Sequence, residues 1–143
     1  MTPRLKGRRR AAQQIISDVA TWAKQEDKVR AVALVGSYAR GAERMASDVD
    51  LVVLSDTPGS LEDARWFEQL RPGARLIRSE VWGPVRERRF RLASGLIVEL
   101  GIAPSSWADT PLDEGTCRVL SDGHSILYDT GLLLGKASAT VTR

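Results

Sequence analysis

The chain has 143 residues, a formal net charge of +3, 43% hydrophobic and 27% charged residues, the balance of one ordinary soluble globular domain. A chain of this length buries roughly 68–70% of the surface its unfolded form exposes, so a core needs no metal or disulfide staples. No run of 18 apolar residues exists to span a membrane, and no apolar segment follows the basic N-terminus as a secretory signal requires. The lone Cys117 excludes an internal disulfide and fits a reducing cytoplasm, while the lone His124 excludes histidine-rich metal clusters. Chemistry must therefore rest on carboxylates, hydroxyls and arginines. The sequence pI near 9.4 suggests nucleic acid, but Arg4, Lys6, Arg8, Arg9 and Arg10 outweigh the whole positive surplus. The remainder of the chain is net acidic, so nucleic acid is not the expected partner.

A polar tip over residues 1–8 is expected to be flexible. Ala12, Ile15, Ile16, Val19, Trp22 and Ala23 recur at helical spacing and predict an amphipathic helix over about 9–27. The β-branched run Val29–Val35 predicts a strand ended by Gly36-Ser37, and Asp48–Leu54 predicts a second. In the second strand Asp48, Asp50 and Val52 share one face. After Thr57-Pro58-Gly59, Ser60 is placed to cap a helix carrying Leu61, Ala64, Phe67 and Leu70. Strand-like runs over 74–82, 85–93 and 96–103, separated by Gly83-Pro84 and Ser94-Gly95, predict an antiparallel meander. Short helices around Thr116–Leu120 and Leu132–Ala137 and a strand over Ser125–Tyr128 are weaker readings of the tail. This order implies an α/β (α+β) fold, a mixed sheet of about five strands with helices packed on one face.

The chemistry concentrates in Gly36-Ser37-Tyr38-Ala39-Arg40-Gly41 and, after five residues, Ser47-Asp48-Val49-Asp50. Glycine lets backbone N–H groups approach an anion, and a helix opening there adds a favourable dipole. With ten residues between Ser37 and the first of them, two aspartates, Asp48 and Asp50, project from one strand face. Two unit charges about 4 Å apart repel by roughly 4 kcal/mol at an effective dielectric of about 20, so both stay ionised only with a cation between them. Mg²⁺ suits such a pair, because it takes oxygen ligands and completes its shell with water and phosphate. A phosphate-cradling turn beside a carboxylate pair is what phosphoryl or nucleotidyl transfer requires. Either half alone reads as an ordinary turn or a solvated Asp-x-Asp; their conjunction at the facing ends of adjacent strands does not.

Glu99 is the one charged residue of the apolar run Leu96–Ala103, and a carboxylate there is expensive to bury unless paired or metal-bound. Glu80 and Glu87 sit in more polar strands and read as surface residues. Arg40 is open to two roles, contacting phosphate or bracing Asp48 or Asp50, and Ser47 is expected to hydrogen-bond within its turn. Arg71, Arg75, Arg78, Arg86, Arg88, Arg89 and Arg91 form either a solvated strand face or a groove for triphosphate, an acidic acceptor or RNA. Trp22, Trp66, Trp82 and Trp107 read as core or interface, His124 as a surface residue and Cys117 as structural.

The segment GSYARG…SDVDLVVL resembles the signature of the DNA polymerase beta-type nucleotidyltransferase superfamily, most closely its small stand-alone members, the minimal nucleotidyltransferases. The resemblance is strong over residues 29–56 and extends over 9–103 in element order; no motif covers 104–143. It implies a polymerase-beta-like fold in one domain over 9–143, with a catalytic core over 9–103 and a C-terminal extension over 104–143. Gly36 and Ser37, with Arg40 and Ser47 as weaker candidates, would bind the nucleotide. Asp48, Asp50 and Glu99 would be catalytic and hold two Mg²⁺ ions, with Mn²⁺ as a substitute; the family more often has Asp at the third position.

The activity implied is transfer of a nucleoside monophosphate, AMP from ATP, to a hydroxyl of an unknown protein or small-molecule acceptor, with release of pyrophosphate. The alternative is an antitoxin-like protein that masks or AMPylates a small helical toxin. Nucleotidylation of an aminoglycoside-type antibiotic ranks lower, because it predicts an acidic pocket and the arginines point the other way. DNA polymerase activity is not expected without a duplex-binding domain. A homodimer is expected by analogy, since no second domain covers the core.

Overall fold

The computed structural model describes residues 3–44 and 47–141. Its element order is α1 (Pro3–Gln25), β1 (Ala31–Val35), α2 (Ser37–Arg40), β2 (Val49–Ser55), α3 (Arg65–Leu70), β3 (Arg75–Trp82), β4 (Val85–Arg91), β5 (Ile97–Pro104), α4 (Glu114–Ser121), β6 (His124–Asp129) and α5 (Leu133–Val141), with short 3-10 turns at Pro58–Ser60 and Ser105–Ala108. No helix among the described residues is long and apolar enough to cross a membrane.

The six strands form one mixed sheet in the order β3-β4-β5-β2-β1-β6. Only β2 and β5 run parallel; every other neighbouring pair is antiparallel. The expected antiparallel meander is present as β3-β4-β5. The sixth strand is β6, which pairs with β1 and brings the sheet to one strand more than the core alone predicts.

All five residues of β1 and most of β2 are buried, so their alternating side chains feed two apolar layers. Val32, Leu34, Leu51, Val53, Val98 and Leu100 face Ala12, Ile15 and Val19 of α1 and Phe67 of α3. On the opposite face, Ala31, Ala33, Leu54 and Ala103 pack against Trp107, Leu120 of α4 and Leu134 and Ala137 of α5. Helices therefore cover both faces, not one. The segment over 104–141 contributes this second layer, and three alanines among its sheet partners let the helices sit close.

Two boundaries also differ from the sequence reading. Helix α1 begins at Pro3, not near Arg9, so residues 3–8 are helical; Met1 and Thr2 lie outside the described residues. Proline is tolerated in a first helical turn, and the basic run is tied down: Arg9 pairs with Glu43 at 2.9 Å and Arg8 lies beside Gly95. The helix expected after Ser60 is split. Ser60 donates its hydroxyl to the Thr57 carbonyl at 2.7 Å, and Ala64 takes a left-handed φ of 59° before α3 starts. The break is held by Trp66, whose Nε1 donates to the Leu61 carbonyl at 3.1 Å while its ring stacks on Trp22 at 3.8 Å.

Phe67 is fully buried, with its ring centre 4.9 Å from that of Phe90. Phe67→Ala should therefore lower the unfolding free energy by about 3–5 kcal/mol. Urea titration should show a lower midpoint at an unchanged slope.

Candidate active site

Strand β1 ends in a turn that only glycine can make. Gly36 has φ 76° and ψ −157°, and a Cβ there would collide with the Asp50 carboxylate. Its carbonyl accepts from the amides of Ala39 and Arg40 at 3.1 and 3.3 Å, which closes the single turn α2. Gly41 ends α2 in the left-handed region. The chain then returns through a segment in which the Ser47 hydroxyl accepts from the Arg44 amide at 2.7 Å, the local role expected of it. Asp48 follows immediately, and Asp50 is the second residue of β2.

Sheet register completes the site. The parallel β2–β5 pairing sets Asp50 directly beside Glu99, and the antiparallel β4–β5 pairing sets Glu99 beside Arg89. Carboxylate oxygens of Asp48, Asp50 and Glu99 all lie within 4.8 Å of one another. The three residues expected to form the acidic cluster are thus brought together from one strand entrance, one strand interior and a neighbouring strand.

The electrostatics are those of crowded anions. Asp50 is the most enclosed, and burial, hydrogen bonding to Glu99 and the negative charges of Glu99, Asp48 and Glu87 push its pKa up to about 8. Asp48 is also raised, by burial first, with Arg89 opposing the shift. Arg89 bridges Asp48 at 2.8 Å and Glu99 by a short ion pair. Arg78 adds contacts of 3.2 Å to Glu80 and 3.3 Å to both Glu87 and Glu99. The donor set contains only carboxylate oxygens, with no imidazole or thiolate, so it fits a hard divalent cation of the Mg²⁺ or Mn²⁺ kind.

Other residues land elsewhere. Arg40 does not brace the aspartates: its stem packs on Gly123 and its guanidinium donates to the Asp122 carbonyl at 3.3 Å. Arg89 takes the bracing role, and Glu87, read from sequence as a surface residue, is an enclosed member of the charge network. His124 is half-buried, not on the surface: Nδ1 donates to the Leu120 carbonyl at 2.9 Å and Nε2 lies 2.7 Å from the Ser138 hydroxyl, tying β6 to α4 and α5. Cys117 is exposed on α4 and has no core role. Trp22, Trp66 and Trp107 are packed, whereas Trp82 is 59% exposed. A signal for Arg89 did exist. Leu92 and Leu96 close a three-residue hairpin loop with Gly95 at φ 88°, and counting back from it sets residue 89 opposite 99.

The raised Asp50 pKa has a direct consequence for stability in chelator. The folded chain holds a proton on Asp50 up to about pH 8, whereas the unfolded chain releases it near the ordinary 3.8. The folded state binds more protons in that window, so this group's contribution to stability falls as pH rises from 3.8 to about 8. Asp50→Asn should flatten that part of the profile, measured by urea unfolding at successive pH values. Millimolar Mg²⁺ should flatten it in the wild type.

Among solved structures, a toxin–antitoxin crystal structure with AMP-PNP contains a chain 17% identical to this one, with a TM-score of 0.48 and coverage of 88% of this chain and 82% of that one. The Cid1 poly(U) polymerase crystal structure is 14% identical, with a TM-score of 0.45 and coverage of 71% of this chain. This chain accounts for 31% of that polymerase chain's length. No curated protein matches the sequence. The model of the nucleotidyltransferase domain matches residues 16–94, which include Gly36, Ser37, Asp48 and Asp50 and stop just short of Glu99. That match takes in more than half of the sequence, and on it the chain belongs to the nucleotidyltransferase domain family.

Proposed function

We propose that this chain is a Mg²⁺-dependent nucleotidyltransferase that transfers AMP from ATP to a hydroxyl of a small-molecule or protein acceptor and releases pyrophosphate. The observation that carries the reading is the clustering of Asp48, Asp50 and Glu99 under a glycine turn that only Gly36 can form. Asp48 and Asp50 would hold one Mg²⁺, and Glu99 would share a second with them; Mn²⁺ would substitute. Bound there, the ions would neutralise triphosphate charge and lower the pKa of the attacking hydroxyl.

The remaining roles belong to the chain itself. Gly36 and Ser37 present backbone at the mouth of the site for the phosphates, with no side chain at Gly36 to block approach. Arg89 holds Asp48 and Glu99 in a fixed arrangement and supplies positive charge beside the incoming phosphates. Ser47 fixes the entrance to β2 through the Arg44 amide. Arg40 reaches substrate only by leaving the Asp122 carbonyl.

A second reading, an antitoxin-like protein that masks or AMPylates a small helical toxin, is favoured by one observation. Edge strand β3 exposes Leu76, Ile77, Val81 and Trp82, apolar side chains suited to a protein partner or a second copy. Co-purification of a co-expressed short helical protein, lost in Leu76→Asp/Val81→Asp, would support it; a chain that stays alone would not.

For the transferase reading, incubation with α-labelled ATP, Mg²⁺ and a broad acceptor panel should label an acceptor. Asp48→Ala/Asp50→Ala should reduce labelling by more than the roughly 100-fold that even outer-shell metal-site changes can reach. Wild-type labelling no higher than that of the double variant would defeat the reading.

A further inference from the structure

A cavity of about 640 Å³ opens beside the carboxylates, within the size range of small-molecule sites. Its floor is the next cross-sheet row, in which Glu87, Gly101 and Val52 are register neighbours. Gly101 keeps that floor low, because a Cβ there would press on Val85 at 3.1 Å. One wall is the β3–β4 hairpin tip with Trp82 and Val85, and the other is Trp107 and the α4 residues Thr116 and Val119.

Two features of the lining point to a ligand class. Every charged residue in it is acidic: Asp50 and Glu99, Glu87 in the next cross-sheet row, and Asp113. The arginines that argued from sequence against a cationic acceptor are not in the lining; Arg78 and Arg89 reach the same carboxylates from outside the cavity. The second feature is Thr116. Its residue is only 1% exposed, and its hydroxyl has no hydrogen-bond partner among the described residues. A buried hydroxyl without a partner is a cost that a ligand's polar group can remove.

We infer that this cavity is a binding site for a small amphipathic cation, an apolar or aromatic body carrying an amine and a hydroxyl. The aromatic and aliphatic walls take the body, Glu87 and Asp113 take the ammonium, and the hydroxyl lies toward Asp50 and Glu99. Apolar walls disfavour a polar polycationic sugar as much as they favour this ligand. That the ligand serves as acceptor rests on the transferase reading. In that case its hydroxyl oxygen bonds to the α-phosphorus, the bond from phosphorus to pyrophosphate breaks, and the hydroxyl proton passes to water. Binding itself does not depend on that step.

The test uses the full chain and calorimetry with three probes: 2-amino-1-phenylethanol, the neutral 1-phenylethanol and the anionic mandelate. The cation should bind with a low-millimolar or better Kd and at least about tenfold more tightly than either analogue, the effect of one charge-assisted hydrogen bond. Glu87→Gln/Asp113→Asn should erase that preference. Val119→Trp, which fills the cavity from a partly exposed helix position, should abolish probe binding while leaving Mg²⁺–ATP affinity unchanged. Equal binding of the three probes would overturn the inference, as would no cation binding up to about 10 mM, where a fragment of this size registers. Loss of Mg²⁺–ATP binding in Val119→Trp would assign the cavity to the nucleotide and overturn it too. A wild type that selects the cation yet binds no nucleotide would defeat the transferase reading alone.

Discussion

The parallel pairing of β2 with β5 is the constraint on which the rest of the site depends. It fixes Asp50 beside Glu99 by backbone hydrogen bonds, irrespective of what their side chains prefer. Two carboxylates so placed cannot both ionise in a half-dry site without a compensating charge. The structure answers in three ways. Asp50 keeps its proton, Arg89 lies against Glu99 and Asp48, and Arg78 closes the outer side. The sheet thus assembles a crowded carboxylate cluster whose charge is met by one proton and two arginines, and the apolar layers beneath it bear the cost.

Those layers explain why the arrangement persists. Strands β1 and β2 are buried on both faces, by α1 and α3 on one side and by α4, α5 and Trp107 on the other. Register in a sheet packed on both sides is strongly specified, since a slip of one residue would send every apolar side chain to the wrong layer. The same packing that holds Leu51, Val53, Leu100 and Ile102 in place holds the carboxylates on the alternate positions of those strands.

Much of this was legible in the sequence, and the reasons are local. Gly36 and the Asp48/Asp50 pair form a short motif whose spacing carries its own geometry. Glu99 stood out because a carboxylate inside an apolar run needs a reason. Arg89 was legible only through hairpin register, because seven arginines look alike until that register selects one of them. The second helical layer was not legible. Half of its anchors on the sheet are alanines, which give little hydrophobic signal, and helices α4 and α5 are short. The start of α1 was missed because a run of arginines reads as a tail until Glu43 is seen to hold Arg9.

The β3–β4 hairpin plays two parts at once. Its tip forms one wall of the cavity, and β3 is one of the two edge strands of the sheet. An edge strand is the least supported element of a sheet, so that wall is also the most easily moved. A strand or chain docking on β3 would stiffen Trp82 and Val85, and a ligand seated against them would in turn present a better-ordered edge. Association and small-molecule binding would then share a single lever, each reporting thermodynamically on the other.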